Sequence, residues 1–283
     1  MLDTGDSVGL IACSDGISPD KEEIIHEVEN NFYDMGIKTV RGTIFRPELG
    51  VAIPAKERAG ELMAMYSNPE IKAIFDVSGG DVANEVLEYL DYDVIKEEEK
   101  SFFGYSDLTT VINAIYHKTG VPSYLYQVRN VASEHGERQM ADLIMTLKGE
   151  SDDLCDIGYD FVRGHKMEGV VIGGNLRCFL KLTGTGYMPS FRHKILFLES
   201  FGGGEARVRT YFRQLKQMGA FDEVSGVLLG TYTELEAKGD VKASDIFMEI
   251  CDNPDVPVAV TRDVGHGAGS KAIVIGKEIE LED

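Results

Sequence analysis

Apolar positions along the chain fall into two alternating patterns. Short unbroken runs bounded by polar turn residues occur at 7–14, 38–43, 71–77, 101–104 and 121–126, as expected of strands buried on both faces of a parallel sheet. Between them the apolar spacing becomes helical. Residues 20–35 place Ile24, Ile25, Val28, Phe32 and Met35 on one stripe, gather their acids early and stop at Gly36. Helices are likewise predicted at 54–66, 81–90, 107–117 and 133–148, the first with proline in its opening turn and the third closed by Gly120. Strand and helix alternating in this way imply a parallel sheet with right-handed crossovers.

Periodicity lapses over 149–167, which is acid-rich. Beyond it, apolar runs at 169–172, 195–198, 224–229, 256–260 and 272–275 alternate with helical patterns at 205–218 and 244–251. The expected architecture is therefore α/β in two parts. Residues 1–150 would form an N-terminal flavodoxin-like parallel-sheet domain, 151–167 a linker, and 168–283 a second, smaller α/β domain. No internal repeat is visible.

Composition narrows the partners more than the fold. The 283 residues include 28 Lys and Arg against 48 Asp and Glu, a formal charge of −20, and show no basic stripe. A phosphate backbone or an anionic membrane surface would repel such a chain, so neither nucleic acid nor membrane is expected as a partner. No apolar run approaches the ~20 residues of a membrane span. The first residues carry acid where a secretory signal carries Lys or Arg, so a cytoplasmic location is expected. Cys13, Cys155, Cys178 and Cys251 are scattered, which points neither to a zinc knuckle nor to a disulfide framework. No metal-ligand spacing appears and no cofactor is expected.

In open parallel sheets, ligands bind beyond the carboxyl ends of the strands. Three such loops stand out: Ser14-Asp15-Gly16, Ser78-Gly79-Gly80-Asp81 and Gly104-Tyr105-Ser106-Asp107. A serine between a short strand and a helix can be a nucleophile lifted above the sheet edge, or Ser106 or Asp107 can simply cap the helix. The loop alone leaves both readings open. Glu199 at a strand end can equally be a surface acid, and Asn175 after two glycines an ordinary turn or cap residue. Among the histidines, His266 lies between glycines in a turn, whereas His26, His117, His135, His165 and His193 suggest no role.

Ordered motifs then narrow the choice. Leu87 to Ile95, Phe103-Gly104-Tyr105-Ser106-Asp107, Ala114 to Gly120, Gly173-Gly174-Asn175-Leu176, Gly184 to Tyr187, Lys194 to Glu199, and Gly265-His266 with Ile275-Gly276 resemble the S66 serine peptidases over nearly the whole chain. That family includes LD-carboxypeptidases of murein recycling and microcin C immunity peptidases. The resemblance implies a catalytic Ser106 nucleophile, His266 as base and later acid, and Glu199 orienting the imidazole, a set that makes a weak hydroxyl nucleophilic near neutral pH. It also implies an oxyanion hole from the Asp107 N–H with Gly79 or Gly80, substrate contacts at Asn175 and Arg177, and a homodimer. A free substrate carboxylate would require a placed cation, with Arg129, Arg177 and Arg192 as candidates. The expected function is metal-free release of a terminal D-alanine from murein peptides. Alternatives are cleavage of peptidyl-nucleotide toxins, or peptide binding without catalysis. Two segments depart from the carboxypeptidase pattern: Ser123 to Arg129, and the loop at Ser78 to Glu85, which is closer to the immunity branch.

Overall fold

The computed structural model describes residues 2–46, 53–239 and 241–283. The first part runs β1 (Ser7–Ile11), α1 (Glu22–Asp34), β2 (Lys38–Arg41), α2 (Ala55–Ser67), β3 (Ile71–Asp76), α3 (Tyr92–Glu98), β4 (Ser101–Gly104), α4 (Thr109–Thr119), β5 (Ser123–Leu125) and α5 (Gly136–Lys148). The second runs β6 (Asp160–Arg163), β7 (Lys166–Asn175), α6 (Leu176–Leu180), β8 (Lys194–Ser200), α7 (Glu205–Gln217), α8 (Ala220–Glu223), β9 (Gly226–Tyr232), α9 (Thr233–Ala237) and α10 (Ala243–Ile250). It closes with β10 (Val258–Val260), β11 (Ile273–Ile275) and β12 (Glu278–Glu282).

Two six-stranded sheets result. The first has the order β11-β5-β4-β3-β1-β2, and its β1 to β5 strands are parallel in the flavodoxin-like arrangement expected from the alternation. The second has the order β12-β7-β8-β9-β10-β6, parallel at its centre with antiparallel strands at both edges. Sequence reasoning missed both edges. β6 lies within 151–167, and β12 alternates glutamate with Ile279 and Leu281 rather than forming an apolar run. Charged, one-sided edges are how sheets avoid pairing with other chains.

Two further differences have physical causes. The run at 272–275 crosses back to the first sheet, where Ile273–Ile275 pairs antiparallel with β5. The helix expected at 81–90 is instead a 3-10 segment, Ala83–Tyr89, followed by α3, whose start is capped by the Asp91 carboxylate accepting from the N–H groups of Asp93 and Val94.

One face of the first sheet is covered by α1 and α5 around Phe32, Phe75, Phe103 and Leu143. The other face shares a continuous apolar cluster with the second sheet, running from Ile74 and Phe102 through Val111, Ile112 and Ile115 of α4 to Val171, Ile172 and Phe197. α4 is thus buried between the two layers. Residues Thr109 to Ile115 are all buried, as suits a helix with little polar face over its first two turns.

The helix is also fastened by polar bonds. The Asn113 amide donates to the carbonyl of Gly173 at 2.7 Å and accepts from its N–H at 3.0 Å, and the Thr109 hydroxyl accepts from the Asn175 N–H at 3.0 Å. Gly173 and Gly174 permit this approach: both have positive φ, and a methyl on Gly174 would sit 2.7 Å from Thr109 Oγ1. Gly174→Ala is therefore expected to lower stability by about 1–3 kcal/mol in urea unfolding. Gly60→Ala, in open space on α2, should raise it by about 0.5–1 kcal/mol. An unchanged midpoint for Gly174→Ala would contradict the close approach.

Candidate active site

β4 ends in Gly104, where a Cβ would lie 2.7 Å from Leu108 Cβ, so the turn into α4 is tight enough to need glycine. Tyr105 is extended, and Ser106 takes φ 54°, a left-handed conformation uncommon outside glycine, before a 3-10 turn Ser106–Leu108 leads into α4. Such strain at a strand-to-helix turn presents a serine above the sheet edge. Ser106 is half-buried.

The Asp107 carboxylate holds this turn from three sides. Fully buried, it accepts from the Ser14 hydroxyl at 2.6 Å, from the Ala83 N–H at 2.8 Å, and from Lys181 Nζ at 2.5 Å. Lys181 follows α6, so the bond also ties the second part of the chain to the turn. The Asp107 side chain therefore locks the loop, which leaves only its backbone N–H for the expected oxyanion role.

Glu199 and His266 arrive from the second sheet. Glu199, near the end of β8, is 0% exposed, and its register partner on β7 is Asn175. His266 sits in a turn packed onto β9: a Cβ on Gly265 would lie 1.6 Å from Thr231 Oγ1, and Ser270 bonds back to the Gly265 N–H at 3.0 Å. His266 Nδ1 and Glu199 Oε2 are 2.7 Å apart. A carboxylate oxygen can only accept, so in this pairing Nδ1 is the donor and Nε2 is the ring nitrogen left facing away from Glu199. The imidazole is held between Tyr105, edge-on at 4.6 Å between ring centroids, and Phe201 at 5.0 Å.

The structure thus brings His266 and Glu199 into contact with Tyr105, the chain neighbour of Ser106. Among the described residues no hydrogen bond joins Ser106 to His266 itself; such bonds often form only around substrate. Tyr105, not anticipated from the sequence, donates its hydroxyl to Glu199 Oε2 at 3.4 Å. Burial first, and then the Glu199 charge, push its phenol well above the usual range, so it remains a donor.

Asn175 and Arg177, expected to touch substrate, have structural partners. Asn175 donates from Nδ2 to Glu199 Oε1 at 3.0 Å, while its Oδ1 accepts from the Cys178 N–H to cap α6. Arg177 forms an ion pair with Asp81 and donates to the Gly80 carbonyl at 3.1 Å, which steadies the glycine loop. Among the described residues, the N–H groups of Gly79 and Gly80 have no protein partner. Gly80 has φ 136°, and a Cβ there would overlap the Asp15 carboxyl group. Arg192 lies exposed before β8, whereas Arg129 follows β5 in a 3-10 segment, Val128–Ala132. Ser14 lies in one of the three loops expected at the strand ends, whereas Thr109, Asn113 and Lys181 were missed. Their signal was a polar residue inside an otherwise apolar helix, for Thr109 and Asn113, or directly after one, for Lys181.

Comparison with known proteins places this geometry in context. Residues 8–126 match the family model described as the LD-carboxypeptidase N-terminal domain, and 168–281 the model described as its C-terminal domain. The microcin C7 self-immunity protein MccF of Escherichia coli is 26% identical, with 99% of this chain and 92% of that protein covered. A probable murein peptide carboxypeptidase of Bacillus subtilis is 24% identical over 99% of this chain and 90% of its own length. A solved structure of MccF in complex with aspartyl sulfamoyl adenosine superposes with a TM-score of 0.87 at 25% identity, covering 100% and 97% of the two chains.

The Asn175–Glu199 contact yields a graded expectation. Asn175→Ala leaves a buried carboxylate oxygen without its donor and should lower turnover roughly 10- to 100-fold. Asn175→Asp should be worse, because two buried carboxyl groups in contact cannot both ionise, and a proton held between them is retained to higher pH and weakens the acceptor that orients the imidazole. The acid limb of its pH–rate profile should move to higher pH. A wild-type profile for the aspartate variant would contradict the geometry.

Proposed function

Since the chain belongs to the S66 peptidase family, we propose that it is a serine carboxypeptidase that removes a terminal D-alanine from murein peptides. The observation that carries this reading is the contact of half-buried His266 with fully buried Glu199 at 2.7 Å, seated against Tyr105 at the strained turn of Ser106. In the proposed reaction, His266 Nε2 takes the Ser106 proton as Oγ attacks the scissile carbonyl. Glu199 stabilises the imidazolium. The N–H groups of Asp107 and of Gly79 or Gly80 stabilise the oxyanion, which carries full charge only in the tetrahedral intermediate. Collapse expels the D-alanine amine with a proton from His266. Water then hydrolyses the acyl-enzyme, with His266 acting again as base.

A second reading is cleavage of a peptidyl-nucleotide, and one feature favours it. Phe201 is 59% exposed beside His266, an aromatic face at the mouth of the site on which a nucleobase could stack. The MccF structure in complex with aspartyl sulfamoyl adenosine supports the same reading.

Purified protein incubated separately with a murein tetrapeptide ending in D-alanine and with a peptidyl phosphoramidate adenylate distinguishes them by mass spectrometry of the products. Release of D-alanine, reduced at least ~10⁴-fold in Ser106→Ala with unchanged folding, is expected. Selective cleavage of the adenylate would favour the second reading. Full activity in Ser106→Ala would overturn the nucleophile assignment.

A further inference from the structure

A carboxylate as deeply buried as Glu199 needs hydrogen-bond donors from the protein around it. Among the described residues, Oε1 accepts from Asn175 Nδ2 at 3.0 Å, while Oε2 is shared by His266 Nδ1 at 2.7 Å and the Tyr105 hydroxyl at 3.4 Å. No Lys or Arg pairs with it; His266 is its ion-pair partner. Asn175 and His266 belong to the second part of the chain, as Glu199 does. Tyr105 comes from the first, where it joins β4 to the Ser106 turn.

The phenol meets both members of the pair. Tyr105 is 2% exposed, and its oxygen lies 3.2 Å from His266 Nδ1 as well as within reach of Glu199. A carboxylate can only accept, so the phenol proton points to Oε2 and an oxygen lone pair is left for the imidazole N–H. The Nδ1–H therefore has the carboxylate in front of it and the phenol oxygen at its side. A ring turned over by 180° would present a carbon to both oxygens. Edge-on packing of the Tyr105 ring, 4.6 Å between centroids, holds the same orientation.

The charge state of the phenol suits this role. Burial first, and then the Glu199 charge, push it well above the usual range, so it keeps its proton. A second phenol, Tyr232 on β9, senses the same carboxylate: burial first, then Glu199 and Glu236, push it up too. Among the described residues it makes no hydrogen bond to Glu199, so the bridge to the imidazole belongs to Tyr105.

We infer that Tyr105 is a positioning residue for the proposed reaction, its hydroxyl bridging Glu199 and His266 so that the imidazole is fixed, Nε2 outward, against the Ser106 turn. The inference rests on the serine peptidase reading. One trans peptide bond separates Tyr105 from Ser106, with Cα atoms ~3.8 Å apart, so a fixed phenol also fixes the serine turn relative to the ring. When Nε2 takes the Ser106 proton, Nδ1–H keeps both of its acceptors. Donation to Oε2 also tempers the carboxylate, so the resting imidazole is protonated less readily than it would be beside Glu199 alone.

Tyr105→Phe keeps the ring and removes the oxygen. For wild type and variant, kcat and KM for the murein tetrapeptide are measured across pH, together with the rate at which a fluorophosphonate labels Ser106 and the imidazole N–H signals of ¹⁵N-histidine-labelled protein. In the variant kcat should fall roughly 5- to 50-fold with KM nearly unchanged, and labelling should slow in parallel. The acid limb of the pH–rate profile should move to higher pH, since the full carboxylate charge then bears on the imidazole. The His266 Nδ1–H signal should shift and exchange faster with water. Wild-type kinetics in the variant, or a lowered Tm with the acid limb unmoved, would overturn the inference. If wild type spares the tetrapeptide but Ser106 is labelled, the carboxypeptidase reading fails, and the labelling rates of the two proteins test Tyr105 separately. If there is neither turnover nor labelling, the imidazole signal tests it: a shift in Tyr105→Phe sustains the bridge, and an unchanged signal overturns it. Should the variant not fold, the wild type still answers, because the bridge requires a nuclear Overhauser contact between the Tyr105 hydroxyl proton and His266 Nδ1–H, and its absence overturns the inference.

Discussion

The contact between α4, the helix that follows the Ser106 turn, and the end of β7 is the constraint on which the candidate site depends. Ser106 belongs to the first sheet, Glu199 to the second, and His266 to a turn packed on the second, so no local segment could assemble them. α4 meets both layers at once. Its apolar residues Val111, Ile112 and Ile115 join the two halves of the core, while Thr109 and Asn113 bond to the backbone of Gly173 and Asn175. Because Asn175 in turn holds Glu199, the position of the carboxylate is set by the same residues that set the position of the serine turn. Two glycines with positive φ make the approach sterically feasible.

Buried charge at the junction is paired. Asp107 and Lys181 neutralise each other across the junction through Oδ1, while Oδ2 of Asp107 accepts from the Ser14 hydroxyl and the Ala83 N–H. Removing one partner of such a pair costs far more than the pair contributes, so it acts chiefly to fix geometry.

Much of this was legible in the chain. Strand-helix alternation and buried apolar runs indicated the first sheet and its flavodoxin-like layout, and a series of motifs pointed to Ser106, Glu199 and His266. Edge strands β6 and β12 escaped because half their residues face water, which removes the continuous apolar signal. The return of Ile273–Ile275 to the first sheet escaped for a different reason: three apolar residues specify burial but not which sheet buries them. Asn175 and Arg177 were recognised as polar residues near the site, whereas their actual partners, Glu199 and Asp81, are set by tertiary register. Tyr105 was visible only as the neighbour of the serine. Its contact with both Glu199 and His266 exists only once the two halves meet.

The central claim is that Ser106 is activated across this junction by His266 and Glu199. Its most direct test is reaction of the protein with a fluorophosphonate, followed by intact-mass measurement and peptide mapping in wild type and in His266→Ala. The account predicts one adduct per chain, located on Ser106 and lost in the histidine variant. An unlabelled Ser106, or equal labelling with and without His266, would contradict it.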